Sequence, residues 1–305
     1  MIPLCSPKQA LLPTALALGS FDGLHAGHRR VIEQITNNPP GIPTVVSFWP
    51  HPREVLYGET RLRLDLPSEK TSLLGPIGVK QLVLIPFDKL LAALSPEEFI
   101  NQIMVQTLQA KRIAVGENFR FGKNRKGDAD SLKKLGTALG IEVSVVPIFE
   151  DESGRMSSSR IRSALNKGEL AIAKKLMGRA YRFRGKVKSG RGLGRKLGWP
   201  TANLEVNGRK FLPGLGVYAA WAWRKNIDTP FSAIMNLGPQ PTIDPCAPSA
   251  VEVHLLNQNI DLVGEELLVE PVQKLRSQKQ FESLECLSNQ IELDAKSAKS
   301  ILKRN

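Results

Sequence analysis

The feature that most constrains the fold is a change of rhythm near Gly178. Before it, short apolar runs alternate with helical patterns. After it, runs rich in β-branched and aromatic residues follow one another with only turns between them. The first half offers strands at Ala15–Leu18, Thr44–Phe48, Gln81–Ile85, Arg112–Val115 and Glu142–Pro147, and helices at Arg29–Ile35, Glu97–Leu108 and Ser131–Leu139. Ser95-Pro96-Glu97-Glu98 is a helix start, with Ser as cap, Pro at the first helical position and Glu98 closing the capping box. Strand–helix alternation implies a parallel sheet covered on both faces. Ser159–Leu165 and Glu169–Met177 read as two short helices parted by the stop signal Lys167-Gly168. Beyond them, Tyr181–Val187, Gly216–Ala222, Phe231–Ile234, Ala250–Leu256 and Glu266–Val272 carry the signature of an antiparallel barrel or sandwich. Phe281, Leu284, Leu287, Ile291 and Ala295 recur at helical spacing within Gln280–Ala298, so one helix closes the chain. The expected organisation is an α/β domain over residues 1–178 and a β-barrel domain over residues 179–305.

Composition supports two packed cores: 42% of the 305 residues are hydrophobic and 23% charged, a balance foreign to disordered or collagen-like chains. No apolar stretch approaches the ~20 residues that span a bilayer. The apolar run Ala10–Leu18 lacks the marks of a signal peptide, because only Lys8 precedes it, Pro13 interrupts it and a Gly-rich turn follows. Cys5, Cys246 and Cys286 form no C-x-x-C pair, which suits a reducing cytoplasm and offers no zinc or disulfide framework. The net charge of +13 favours anionic partners, whether nucleic acid, acidic membrane or phosphorylated small molecules.

The richest segment is Gly19-Ser20-Phe21-Asp22-Gly23-Leu24-His25-Ala26-Gly27-His28, at the corner where the first strand turns into the first helix. In an open parallel sheet that corner lies at the ligand-binding edge. Glycines admit close backbone approach, and the helix start directs free N–H groups at an anion. His25 and His28 share one face of the first helical turn and can donate to phosphate oxygens. A metal site would need an acidic or cysteine partner at useful spacing, and none is present. Met156-Ser157-Ser158-Ser159-Arg160-Ile161-Arg162 follows later in the same half. Its hydroxyls and guanidiniums suit phosphates, and the serines also suit a plain helix cap.

The H-x-G-H tetrad after G-x-F-D-G resembles the ATP signature of the nucleotidyltransferase superfamily. Ser47-Phe48-Trp49-Pro50-His51-Pro52 and Gly116-Glu117-Asn118-Phe119-Arg120-Phe121-Gly122 are similar to motifs of bacterial flavin adenylyltransferases. This resemblance implies a Rossmann-like nucleotidyltransferase domain. It puts Gly19, Phe21, Asp22, His25, Gly27, His51, Asn118, Ser157, Ser158 and Ser159 at the ATP and flavin sites, with His28 and Arg162 in catalytic roles.

Between Arg179 and Leu204 there are eight Lys or Arg residues and no carboxylate. Gly190-Arg191-Gly192-Leu193-Gly194-Arg195 is a glycine loop able to wrap phosphates, or equally to grip RNA, and it is not a P-loop. The ending Pro200-Thr201-Ala202-Asn203 closely resembles the riboflavin kinase signature. That resemblance assigns Thr201 and Asn203 to Mg²⁺, and Gly190, Gly192, Gly194, Arg195, Pro200 and Arg276 to ATP or flavin. Val251-Glu252-Val253-His254 alternates, turning Glu252 and His254 to one face. Alone it reads as a half-exposed strand; with the resemblance, Glu252 becomes the candidate base. His254 suits a structural or a functional role equally. Asp261-Leu262-Val263-Gly264 lacks the family's usual aromatic, and Trp199 stands where Phe is usual.

The resemblance spans Leu16–Asp294 and identifies the chain as similar to prokaryotic bifunctional riboflavin kinase/FAD synthetases. It implies ATP, riboflavin and FMN as substrates, Mg²⁺ as cofactor, and no nucleic acid, membrane or obligatory protein partner. Adenylylation of another phosphorylated substrate with an accessory barrel, or an RNA-binding protein with a degenerate nucleotide domain, are the competing readings. The second leaves P-T-A-N and V-E-V-H unexplained and brings no RNP or KH motif.

Overall fold

The computed structural model describes residues 1–152, 154–190, 194, 198–238, 250–258 and 260–303. The chain divides into two compact units, Met1–Ser158 and Ser159–Asn305.

The first unit is built on a six-stranded parallel sheet. Its strands are β1 (Leu4–Cys5), β2 (Thr14–Leu18), β3 (Ile42–Trp49), β4 (Gln81–Pro86), β5 (Ala110–Gly116) and, after the small β6 (Arg120–Phe121) and β7 (Gly127–Asp128) ribbon, β8 (Glu142–Val146). The order is β1-β4-β3-β2-β5-β8. β2 is apolar throughout and buried at every position, as a central parallel strand covered on both faces must be. Its side chains alternate between two cores. Leu16 and Leu18 meet Phe99, Ile100, Met104 and Leu132 on one face. Ala15 and Ala17 meet Val31, Ile32, Ile35 and Leu74 on the other. The helices supplying these residues are α1 (Ala26–Thr36), α3 (Pro67–Leu74), α5 (Pro96–Phe99) with its continuation Ile100–Thr107, and α6 (Ala129–Ala138). Shorter α2 (Pro52–Tyr57) and α4 (Lys89–Ala93) lie in the connections.

The capping box at Ser95 is realised, with Ser95 Oγ accepting from Glu98 N–H at 3.1 Å and Glu98 Oε2 accepting from Ser95 N–H at 2.7 Å. The expected α-helix Glu97–Leu108 is corrected, since only Pro96–Phe99 is α-helical and Ile100–Thr107 is a π-helix. Leu108 N–H donates to Ile103 O, five residues back. Ile100, Met104 and Leu108 are all fully buried, and their spacing of four outruns the 3.6-residue α turn. The wider π turn keeps all three on the core.

The second unit contains α7 (Ser158–Lys167) apart from its first residue, which belongs to the first unit, together with α8 (Leu170–Met177) and a closed six-stranded antiparallel barrel. After the ribbon β9 (Glu150–Asp151) and β10 (Gly154–Arg155) of the first unit, the barrel strands are β11 (Phe183–Lys188), β12 (Ala202–Val206), β13 (Gly216–Arg224), β14 (Phe231–Gly238), β15 (Ala250–Leu255) and β16 (Glu266–Arg276). Their order is β11-β12-β15-β14-β13-β16. The last helix, α9 (Leu284–Leu302), starts at a Ser283 cap rather than at Gln280. Its Ala295, Ala298 and Leu302 cover Val217, Ala219 and Ile234 on the outer barrel wall. The compositional break at Gly178 therefore falls after α7 and α8, while the contact division falls at the start of α7.

Candidate active sites

The strand order reverses at β2. The chain runs outward through β3 to β4, then returns to the other side of β2 with β5 and β8. An open α/β sheet binds ligands outside the carboxyl ends of its strands at such a reversal. Two of the sequence motifs arrive there, the histidine turn after β2 and Gly116–Gly122 after β5.

Within the turn, His25 is the cap of α1, its Nδ1 accepting from His28 N–H at 3.4 Å. The two imidazoles stack with centroids 3.7 Å apart, and Phe21 meets His28 edge-on at 5.4 Å. A Cβ on Gly27 would press on the His25 ring at 3.3 Å, so glycine allows the stack. Burial and the Arg155 charge lower the His25 pKa to about 4, against the opposing pull of Asp22. Burial, then His25 and Lys70, hold His28 well below the ordinary imidazole value. Both rings are therefore neutral near pH 7 and act as hydrogen-bonding groups. His28 Nδ1 is buried with no hydrogen-bond partner among the described residues.

The turn is held from outside. Asp22 Oδ1 accepts from the backbone N–H groups of Leu64 at 3.0 Å and Asp65 at 3.2 Å. Asp65 Oδ2 accepts from Gly23 N–H at 3.0 Å, and Lys70 Nζ donates to Ser20 O at 2.5 Å. Ser158 Oγ, at the start of α7, donates to Asp22 O at 2.8 Å. Phe21 and Leu24 sit at φ 45° and 43°, a left-handed conformation that costs a non-glycine residue about 1–3 kcal/mol and persists only where neighbours over-determine it. The Asp22 carboxylate, expected at the nucleotide, is thus engaged in shaping the turn. Asp65 and Lys70 escaped sequence analysis, because in Arg61-Leu62-Arg63-Leu64-Asp65-Leu66 charge alternates with leucine as on any half-exposed strand.

His51 caps α2, its Nδ1 accepting from Arg53 N–H at 3.1 Å. Burial, helped by Arg63, Arg61 and Arg53 and opposed by Asp22, lowers its pKa to about 4. Asn118 is exposed in the turn after β5, its Oδ1 close against Gly116. Phe119 stacks on buried Phe121 at 5.6 Å. Ser157 is half-buried beside Ser158. Ser159 and Arg162 belong to the second unit, where the Arg162 guanidinium lies 5.5 Å over the Phe211 ring.

On the barrel, Asn203 pairs directly with Glu252, and Glu252 with Asn236, across β12, β15 and β14. Ala202, Val253 and Met235 form the parallel row on the opposite, buried face. The polar row is hydrogen-bonded, with Asn236 Nδ2 donating to Glu252 Oε2 at 3.2 Å and Gln278 Nε2 donating to Asn236 Oδ1 at 2.7 Å. Gln278 gave no sequence signal. His254 is buried and its Nδ1 lies 2.7 Å from Pro200 O. Since a carbonyl only accepts, Nδ1 carries the proton, and His254 fixes the start of the Pro200–Asn203 segment. A cavity of about 270 Å³ is lined by Gly190, Pro200, Thr201 and Asn203, with Lys188, Gln258 and residues 260–263 closing it; Glu252 is not among its lining residues. A Cβ on Gly190 would collide with the Asn203 amide. Gly192 and Arg195 lie outside the described residues, whereas Gly194 packs closely on Trp199 O and Thr201. Arg276 makes an ion pair with buried Asp294 at 2.9 Å, and its guanidinium lies 5.4 Å over the Phe281 ring.

Comparison with known proteins gives two family models in tandem, FAD synthetase over residues 8–160 and riboflavin kinase over residues 177–302. Curated relatives named bifunctional riboflavin kinase/FMN adenylyltransferase align along nearly the whole chain. The protein from Pseudomonas fluorescens is 35% identical over 93% of this chain and 91% of its own. That from Bacillus subtilis is 32% identical over 95% and 93%. A solved structure described as a macrolide-efflux protein from Streptococcus pneumoniae matches with TM-score 0.84 and 29% identity over 98% of each chain. No described helix of the present chain is long and apolar enough to cross a membrane. Two matched domains in the relatives' order, carried by identity that runs end to end, make this chain a member of the bifunctional riboflavin kinase/FMN adenylyltransferase family.

Proposed function

We propose that the histidine turn and the Asn203–Glu252–Asn236 row are the two active sites of one flavin-synthesising chain. Residues 1–178 would form the adenylyltransferase domain and residues 179–305 the kinase domain. The chain phosphorylates riboflavin with ATP to FMN, then adenylylates FMN with ATP to FAD and pyrophosphate. The observation that carries the site assignment is the reversal of strand order at β2, which sets two neutral, stacked imidazoles at the binding edge of the sheet.

In adenylyl transfer an oxygen of the FMN phosphate attacks the α-phosphorus of ATP, and the bond to pyrophosphate breaks. That oxygen is already ionised near pH 7, so the site needs donors and alignment rather than a base. His25 and His28 would donate to the phosphate oxygens. Asn118 and Phe119 would border the flavin, with His51 beside them.

In phosphoryl transfer the nucleophile is the terminal hydroxyl of the ribityl chain, and its proton must leave as oxygen bonds to the γ-phosphorus. Glu252 would accept that proton, its carboxylate held by Asn236. Thr201 and Asn203 present oxygen donors two residues apart on the cavity wall, and hard oxygen ligands few in number suit Mg²⁺ bound with phosphates. The ion would neutralise phosphate charge when bound. Gly190 and its loop would follow the phosphates, while Arg276 would act by anchoring α9 through Asp294. ATP, riboflavin and FMN would be the only partners, without nucleic acid, membrane or obligatory protein, in the cytoplasm.

The test is product order. Pure protein with riboflavin, ATP and Mg²⁺ should yield FMN first and FAD after a lag, resolved by chromatography. Failure to consume riboflavin, or adenylylation of other phosphorylated substrates in preference to FMN, would overturn the assignment.

A further inference from the structure

Lys70 is a charged residue that the chemistry above does not use, yet it is 4% exposed and its ammonium is hydrogen-bonded to the phosphate turn. A buried ammonium is expensive, and an unbranched apolar side chain of similar length would fill the same space without that penalty. Its position is informative. Lys70 lies on α3, fifty residues along the chain from Ser20, and its Nζ meets Ser20 O at 2.5 Å. Ser20 immediately precedes Phe21, whose φ of 45° opens the left-handed part of the turn. Two residues on, Asp22 is gripped by the amides of Leu64 and Asp65, and Gly23 N–H by the Asp65 carboxylate. The 64–70 segment therefore holds three successive parts of the turn, and Lys70 is its one cationic contact among these hydrogen bonds.

We propose that Lys70 is a positioning residue for adenylyl transfer, presetting the turn through Ser20 O and placing fixed positive charge behind the imidazoles that meet the phosphates. The proposal rests on the histidine turn being the adenylyl site. Lys70 is not expected to touch ATP, because its amine is buried. It acts through backbone geometry and field, and both serve the transition state more than ground-state binding. The charged and titratable groups around the imidazoles are Asp22 within the turn, Lys70 from α3 and Arg155 from β10. Of these, Lys70 and Arg155 favour neutral rings and Asp22 opposes them.

The test uses the full chain, in which riboflavin phosphorylation reports folding of the other unit. Lys70→Met should lower kcat for FMN adenylylation by about 10- to 100-fold, the scale of a small misplacement of reacting groups. KM for ATP and FMN should move less than about threefold, since ground-state contacts remain. Kinase activity should stay within about twofold, because the kinase residues belong to the other unit. Lys70→Arg, which keeps the charge, should retain more adenylylation than Lys70→Met. In histidine C2–H NMR titrations, His28 should protonate at higher pH in Lys70→Met than in the parent. If Lys70→Met does not accumulate folded, Lys70→Gln takes its place, keeping a donor without the charge. Adenylylation within twofold of the parent overturns the proposal, as does a loss with no change in His28 titration. His28→Ala, assayed alongside, separates the two levels: if it leaves adenylylation intact, the site assignment fails, whatever Lys70 does.

Discussion

Asp22→Ala offers a perturbation whose size can be worked from the structure. Asp22 is 3% exposed, and one of its oxygens receives the backbone N–H groups of Leu64 and Asp65, residues that are 0% and 2% exposed. Truncation leaves two buried donors without that acceptor, each costing about 1–3 kcal/mol. Relaxation of the 62–66 segment recovers part of this, so about 3 kcal/mol is expected. With m near 2–3 kcal/mol/M in urea, the unfolding midpoint of the first unit should drop by roughly 1–1.5 M. The strained Phe21 and Leu24 conformations lose their restraint, and the stacked imidazoles move off the binding edge. Adenylylation should then fall by about 10²-fold or more, as for an angstrom-scale misplacement. Asp22→Asn keeps an acceptor in place and should recover most of the lost stability. The assays are urea unfolding followed by intrinsic fluorescence, and FAD formation from supplied FMN beside FMN formation from riboflavin. Adenylylation at the parent rate in Asp22→Ala, or equal loss of both activities, would refute the reasoning.

Two predictions concern the barrel. Gly190→Ala puts a methyl into the Asn203 amide, so Asn203 must turn aside and kinase kcat/KM should fall by about 10- to 100-fold; steady-state assays with FAD synthesis as internal control check it. Asp294→Ala leaves the Arg276 guanidinium without the carboxylate 2.9 Å away. Because Arg276 is about a fifth exposed, the loss should be about 2–3 kcal/mol, below the range for fully buried pairs, and thermal unfolding of the second unit reads it.

What was legible in the sequence was what is local. The histidine turn announces itself because its glycines, its cap and both imidazoles lie within ten consecutive residues, and β2 because its apolar run is unbroken. Val251-Glu252-Val253-His254 was legible in part for the same reason: the valines are buried and Glu252 is half-exposed, as period-two alternation demands, whereas His254 on the Glu252 face is buried against Pro200 O. β12 is hidden in the sequence because Thr201-Ala202-Asn203 reads as the end of a glycine-loop motif, although Ala202 and Leu204 alternate inward. The holders of the sites lay beyond reach. Asp22 meets the 64–65 amides across 42 and 43 residues, Lys70 meets Ser20 across 50, and Gln278 meets Asn236 across 42. No periodicity reports such a pairing. Arg276 shows the same limit from the other side. Sequence offered a guanidinium, and only the fold supplied Asp294 and Phe281 as its neighbours.

The central claim is that one chain carries two chemically independent sites, and a pair of variants tests it most directly. His28→Ala should convert riboflavin to FMN and stop there, its adenylylation reduced by about 10²-fold through loss of a donor to developing charge. Glu252→Gln should form FMN about 10²–10⁴-fold more slowly, for want of a base, yet adenylylate supplied FMN at the parent rate. Mixed in one tube with riboflavin, ATP and Mg²⁺, the two variants should make FAD far faster than either does alone. A variant that loses both activities, a Glu252→Gln protein that phosphorylates riboflavin at the parent rate, or a mixture that yields no FAD would contradict the account.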